Sequence, residues 1–409
     1  MSSMRHPATD NREDGSLVAD RARIKPSATL QMLDRVKELK RAGEDVISLS
    51  AGEPDFVTPE HIRAYAKQAL DEGYTFYPDA LGLWELREAI SEKLQRENSI
   101  DADPTSEIVV TVGAKEAIFA AMMATIGPGD EVIVPDPCWV SYVPCIELAG
   151  GKPVYLPLNE SERFCISPDR LERILNKKTK MLIVNSPNNP IGTVMSKSEL
   201  EAIAELAKRG KFLVLSDEIY EKIVFDGERH LSIASFPGME ESVITVNGFS
   251  KSMAMTGWRL GYMAAPRSIA QCVAAIHGHL VTGPCTFAQR AAALALRDAR
   301  TDKAVRDMVK QYQLRRDIVV RELTRIEGVS CFSPRGTFYA FPNIRSIGLR
   351  SQEFAMKLLD RSKVAVVAGD SFGTGGEGFI RLSFATSSER LKTALERMRE
   401  FTSELRCST

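Results

Sequence analysis

Metal-binding patterns are missing from this chain. It has five histidines, no CxxC pair and no zinc-ligand spacing. Its seven cysteines, Cys138, Cys145, Cys165, Cys272, Cys285, Cys331 and Cys407, are scattered and odd in number. That pattern argues against a disulfide framework and for reduced thiols in a cytoplasmic protein. Net charge is also nearly absent, because 53 Lys and Arg face 54 Asp and Glu. A dominant nucleic-acid footprint is therefore not expected. The apolar runs are too short or too interrupted to span a membrane. The opening MSSMRHPATDNREDGSLVAD lacks the apolar stretch of a secretory signal and is expected to be a mobile extension. No internal repeat or low-complexity tract stands out. What remains is an ordinary globular composition, 44% hydrophobic over 409 residues, enough for two or three structural units.

The middle of the chain alternates β-rich runs with helical patterns. IVVTV (108–112), EVIVPDP (131–137), VYLPL (154–158), MLIVN (181–185), FLVLSDE (212–218), VITVN (243–247) and LGYMAAP (260–266) read as strands. Between them, KSELEAIAELAKRG (197–210) repeats apolar residues at three and four, the helical period. Such alternation predicts an α/β layer with a mostly parallel sheet. Strands that are apolar on both faces suit that arrangement. Beyond about residue 300 the pattern changes. A charged, periodic segment (300–326), short strand-like pieces and a final helix (388–404) predict a smaller α+β domain. The expected division is an extension at 1–22, a segment 23–60 packing with the small domain, a large domain 61–300 and a small domain 301–409.

In open parallel sheets, ligands sit beyond the carboxyl ends of the strands. Gly113-Ala114-Lys115 follows the first strand and opens a helix, a place suited to a phosphate. The GxxxxGK[ST] phosphate loop is not present. DPCWVSY (136–142) places Trp139 where it can be core or can stack on a flat ligand. NSPNNPIG (185–192) is a rigid turn. Asp217 ends another strand, and a carboxylate there is costly unless paired. VNGFSKSMAMTGWRLGY (246–262) carries Lys251 and Arg259 eight residues apart. A phosphate cradle, a flat aromatic, an Asn, an Asp with a Tyr, a Lys and an Arg are together what a planar, phosphorylated pyridine aldehyde requires.

From about Arg23 to the C-terminus the sequence resembles the fold-type I pyridoxal-phosphate (PLP) aminotransferases, nearest the bacterial aspartate aminotransferase branch. The motifs that carry the resemblance are LSAGEPDF (49–56), DPCWVSY, NSPNNPIG, SDEIY (216–220), SKSMAMTGWRLGY (250–262) and FIRLSFA (379–385). The resemblance implies that Lys251 is the Schiff-base lysine and proton shuttle, and that Arg259 and Ser250 lie at the cofactor phosphate. It implies that Asp217 pairs with the pyridinium nitrogen, that Tyr220 and Asn189 bond the phenolic oxygen, and that Trp139 stacks on the ring. Gly113 and Ala114 would hold the phosphate by their amides. Tyr77 matches a tyrosine that reaches the neighbouring subunit's cofactor, which implies a homodimer with shared sites. Arg381 matches the grip on the substrate α-carboxylate, aided by the backbone of Gly52.

For a dicarboxylic substrate the resemblance assigns Lys115, in VGAK, as a second cation. Ser27 and Thr29, in KPSAT, resemble pocket-lining residues of aspartate and prephenate aminotransferases. Aspartate or glutamate as donor is thus expected, with prephenate a further acceptor. Aromatic, neutral or basic substrates, or a PLP β-lyase or oxidase reaction on the same fold, stay open. A PLP-sensing regulator would need a DNA-binding domain ahead of the core, where roughly twenty polar residues are too few. Four departures from the family pattern are noted: Cys138, Ile191, Gly248 where many relatives carry Ser, and TGPCTFAQ (282–289).

Overall fold

The computed structural model describes residues 19–24 and 26–407, so most of the expected extension, residues 1–18, lies outside the described residues. Twelve strands occur among them. They are β1 (Ile47–Ser48), β2 (Ile108–Thr111), β3 (Glu131–Asp136), β4 (Lys152–Pro157), β5 (Thr179–Asn185) and β6 (Leu213–Asp217). β7 (Val243–Gly248), β8 (Gly261–Ala264), β9 (Tyr339–Ala340), β10 (Val364–Ala365), β11 (Val367–Ala368) and β12 (Ile380–Ser383) complete them.

Seven strands form the central sheet in the order β2-β8-β7-β6-β5-β3-β4. It is largely parallel, but β8 runs antiparallel to both of its neighbours. Alternation along each strand explains the two apolar faces. Val132 and Val134 of β3 and Ile183 of β5 join one core, with Ile118 and Val273 from helices on that side. Ile133, Leu182, Val184 and Val214 join the other, against Leu200, Ile203 and Ala204. These last three lie on one face of the helix Lys197–Gly210. Ser196 starts that helix with a reciprocal cap to Glu199, and Lys208 and Arg209 close it. Both ends therefore agree with the helix dipole.

The remaining strands are short. β11, β12 and β9 make an antiparallel sheet, and β1 pairs in parallel with β10 through Ile47 and Val364. A third apolar core joins Leu49, Tyr312, Phe338, Phe354 and Phe384, linking both ends of the chain. The charged segment near 300 forms the helix Ala299–Leu323, and the last helix is Ser388–Cys407. Among the described residues no helix is long and apolar enough to cross a membrane.

Candidate active site

The carboxyl ends of the parallel strands open into a cavity of about 380 Å³. Asp217 closes β6 and is buried. Its Oδ2 accepts a hydrogen bond from the Tyr142 hydroxyl at 2.6 Å, and Oδ1 accepts one from the Ile219 amide at 3.2 Å. Burial nevertheless pushes the Asp217 carboxyl up to about 6, with Glu218 adding to the rise.

Lys251 lies three residues beyond β7. Its Nζ donates to the Gly52 carbonyl at 2.5 Å and sits 5.8 Å from the centre of the Tyr220 ring. Desolvation pulls its ammonium down to about 8; Glu53 resists this, and Arg381 and Arg259 reinforce it. A neutral amine is then accessible near neutrality, as a nucleophilic lysine requires.

The Asn-Pro turn is tied to the same sheet edge. Asn185 donates to the Asp217 carbonyl at 3.0 Å and accepts from the Asn189 amide at 2.8 Å. The Asn189 side-chain oxygen then accepts from Arg381 Nη1 at 3.1 Å. Arg381 Nη2 donates to the Ser50 carbonyl at 2.9 Å. Its guanidinium lies 4.3 Å from the Tyr339 ring centre and 4.9 Å from that of Phe372. Only 2% of Arg381 is exposed, and its Nε has no partner. Among the described residues no carboxylate pairs with it. A buried cation left this way is costly, and a bound anion would offset the cost.

The phosphate-suited end is built by backbone shape. Gly113 takes a φ of +78°, and a Cβ there would lie 2.6 Å from Arg259 Nη2. Glycine thus lets the guanidinium settle over the N-terminus of the helix Ala114–Thr125. Arg259 itself is held by the carbonyls of Thr256 and Val112, and Ser250 lines the same cavity. Lys115 Nζ stands 5.1 Å from the Trp139 ring centre. Desolvation lowers its ammonium, opposed by Cys145 and reinforced by Arg259. Thr29 reaches the cavity wall from the helix Ala28–Arg41, and Ser27 bonds it from behind at 2.8 Å.

Residues 44–398 match the family described as aminotransferase class I and II. The chain belongs to that family. It is 48% identical over 375 residues to an aspartate aminotransferase of Pyrococcus abyssi, covering 92% of this chain and 95% of that one. It is 45% identical to aromatic-amino-acid aminotransferase 2 of Thermococcus litoralis, covering 93% of this chain and 97% of that one. Among solved structures, aspartate aminotransferase from Thermus thermophilus with maleate superposes with a TM-score of 0.90 at 41% identity. That match covers 94% of this chain and 99% of the other.

Of the site residues read from this aminotransferase's sequence, all but Gly113, Ser27 and Tyr77 line one cavity, and Gly113 and Ser27 pack against Arg259 and Thr29 in its wall. Tyr77 is 87% exposed and stands apart from it. Three groups escaped the sequence reading of this aminotransferase site. Tyr142 lay inside a quoted motif, but nothing in the motif aims its hydroxyl at Asp217. Asn185 read as turn chemistry. Tyr339, whose hydroxyl meets that of Tyr220 at 2.9 Å, sits in a strand too short for periodicity to register.

Two departures from the family pattern acquire physical reasons. A Cβ on Gly248 would fall 2.9 Å from Gly261 Cα, so β7 and β8 leave no room for a serine. The 282–289 segment packs away from the cavity, where Thr286 donates to the Phe76 carbonyl and Gln289 accepts from the Leu83 amide. Behind Asp217, the wholly buried Glu218 accepts from Ser216 and Ser232 and lies 2.9 Å from His230 Nε2. Glu218, Glu221 and His230 bring ligand-type atoms within 4.8 Å of one another, but the Lys93 ammonium already sits on Glu221 and Asn98.

Proposed function

We propose that this aminotransferase holds pyridoxal 5′-phosphate on Lys251 and exchanges amino groups between a dicarboxylic L-amino acid and a 2-oxo acid by a ping-pong route. The observation that carries the reading is Arg381, a buried guanidinium with a vacant Nε that shares a cavity with a lysine of depressed pKa. A substrate carboxylate and an aldehyde carbon are the partners those two groups lack.

The donor set fits the cofactor. Asp217 would hold the ring nitrogen protonated, Tyr220 and Asn189 would bond the phenolic oxygen, and Trp139 would cover the ring face. Gly113, Ala114, Ser250 and Arg259 would take the phosphate. When bound, the cofactor supplies the electron-withdrawing ring that acidifies the amino acid's Cα–H. Lys251 then carries the proton at Cα as general base and acid, while Arg381 fixes the α-carboxylate with its planar fork. Gly52 helps position both, since its carbonyl accepts from Lys251.

Lys115 supports a dicarboxylic side chain, because a second carboxylate entering the cavity needs a second cation. The Pyrococcus relative and the maleate-bound Thermus structure point the same way. Aromatic substrates are the second reading, supported by Leu30, Leu33 and Ile118 in the cavity wall and by the Thermococcus relative.

A homodimer belongs to the same proposal. Phe76 and Tyr77 are 81% and 87% exposed on a loop braced by the 282–289 segment, and a second copy would give them a partner. The pairing of β1 with β10 supports grouping residues 23–60 with 301–409 as one domain, leaving 61–300 as the other. Cys138, Cys145, Cys165, Cys272, Cys285 and Cys331 are free thiols, which suits a cytoplasmic setting.

The deciding experiment is a half-reaction. Protein loaded with the cofactor is mixed with one amino acid, and the cofactor absorption band is followed. Rapid loss of the band with aspartate and glutamate, but not with alanine, phenylalanine or arginine, is expected. Silence with aspartate alongside conversion by phenylalanine would replace the dicarboxylic reading with the aromatic one. Release of ammonia and pyruvate from a β-substituted amino acid would indicate a lyase instead.

A further inference from the structure

Tyr339 touches three parts of the site at once, and the reading above gives it no role. Its ring supports the Arg381 guanidinium at 4.3 Å. Its hydroxyl meets the Tyr220 hydroxyl at 2.9 Å. The same hydroxyl lies 3.1 Å from where a Cβ on Gly52 would stand, against the residue whose carbonyl accepts from Lys251. It is 1% exposed, and its backbone amide is held by the Thr337 hydroxyl at 3.2 Å. Neither the ring nor the hydroxyl is free to turn elsewhere.

We infer that Tyr339 is a positioning residue that couples the substrate-carboxylate clamp to the donor on the cofactor's phenolic oxygen. The inference rests on the cofactor reading above, and the reasoning is a count of protons. Tyr220 has one hydroxyl proton, and if it gives that proton to the cofactor oxygen it can only accept from Tyr339. Burial raises both phenols, so both keep their protons near neutrality. Tyr339 therefore donates, Tyr220 donates onward, and each bond in such a chain polarises the next. The ring of the same residue meanwhile stacks on Arg381, where a desolvated cation–π contact holds the fork in plane.

Donation from Tyr220 stabilises the anionic phenolic oxygen, so weakening it makes the bound chromophore keep its proton to higher pH. Tyr339→Phe removes the hydroxyl and leaves the ring. The midpoint of the pH titration of the cofactor band should rise by roughly half to one pH unit, a gain in proton affinity of about three- to tenfold. Maleate affinity should change by less than about twofold, because the cation–π contact survives. Tyr339→Leu removes the ring as well, and maleate affinity should fall about tenfold or more. In a Tyr220→Phe background, adding Tyr339→Phe should move the midpoint no further.

An unmoved midpoint in Tyr339→Phe, with the wild-type band titrating normally, would overturn the coupling and leave the cofactor reading standing. An equal shift in the Tyr220→Phe background would show that Tyr339 acts by another route, and would also overturn it. If the wild-type protein loaded with pyridoxal 5′-phosphate shows no pH-dependent band, the cofactor reading fails and this inference fails with it. Thermal unfolding of each variant checks that the fold is intact, and Tyr339→Phe, which loses one oxygen, carries the test if Tyr339→Leu does not fold.

Discussion

Replacing Arg381 by lysine isolates the clamp from its charge. The substitution keeps a cation in the buried site, so the electrostatic pull on Lys251 persists. What disappears is the fork. Arg381 now satisfies the Asn189 oxygen and the Ser50 carbonyl and still has Nε to offer. A lysine has three donors on one nitrogen and cannot span those acceptors while also meeting a carboxylate in two places. One charge-assisted hydrogen bond to substrate is lost, worth about 1.5–3 kcal/mol, and a buried acceptor left without a donor adds about 1 kcal/mol or more. A total near 3 kcal/mol corresponds to roughly a hundredfold fall in kcat/KM. The assay is the half-reaction rate against amino acid concentration, run with aspartate, glutamate and phenylalanine. Every amino acid carries the α-carboxylate, so all three should fall by a similar factor while the cofactor band keeps its pH midpoint. Retention of kcat/KM within about threefold would refute the assignment of Arg381 to the α-carboxylate. Loss confined to aspartate and glutamate would place the side-chain carboxylate there instead.

Lys115→Ala should behave in the opposite way. It should lower kcat/KM for aspartate and glutamate about five- to tenfold and spare phenylalanine, since an exposed cation is partly screened; equal effects on all three substrates would remove its role in selection. Asp217→Asn bears on stability through pH. The native carboxyl titrates near 6 against an ordinary value of 3.8, so the folded protein binds the proton more tightly than the unfolded chain. The cofactor-free protein should therefore lose stability as pH rises from about 4 to 6 and recover none of it above. Thermal unfolding of Asp217→Asn should show a smaller fall over that interval, and parallel curves for the two proteins would refute the linkage.

Much of the proposed cofactor end was legible in the sequence because its polar groups sit where strands stop. Asp217, Asn189 and Lys251 each follow a buried apolar run, and a polar group in that place is conspicuous. The direction of β8 was not legible, since an apolar run looks the same read either way along a sheet. Tyr339 and Arg381 lie in strands of two and four residues, too short for alternation to mark a face; only family resemblance singled out Arg381. Tyr142 shows a different limit. Its position was evident, but the aim of a side chain at the start of the helix Tyr142–Leu148 depends on how that helix lies across Asp217. Gly248 read as a missing hydroxyl, and the cause was a backbone contact with Gly261 that no local pattern reveals.

The parallel pairing of β1 with β10 also sets an order of assembly. Gly113, Asn189, Asp217, Lys251 and Arg259 all precede residue 260 in the chain. Ile47 must wait for Val364 before it gains a strand partner, and Arg381 is made later still. Contacts between distant parts of a chain form slowly because the intervening loop must close first. During synthesis, the groups assigned to the cofactor therefore emerge well before Arg381, the proposed grip on the α-carboxylate that every amino acid shares, while Thr29 and Lys115, assigned to the choice among substrates, are already made.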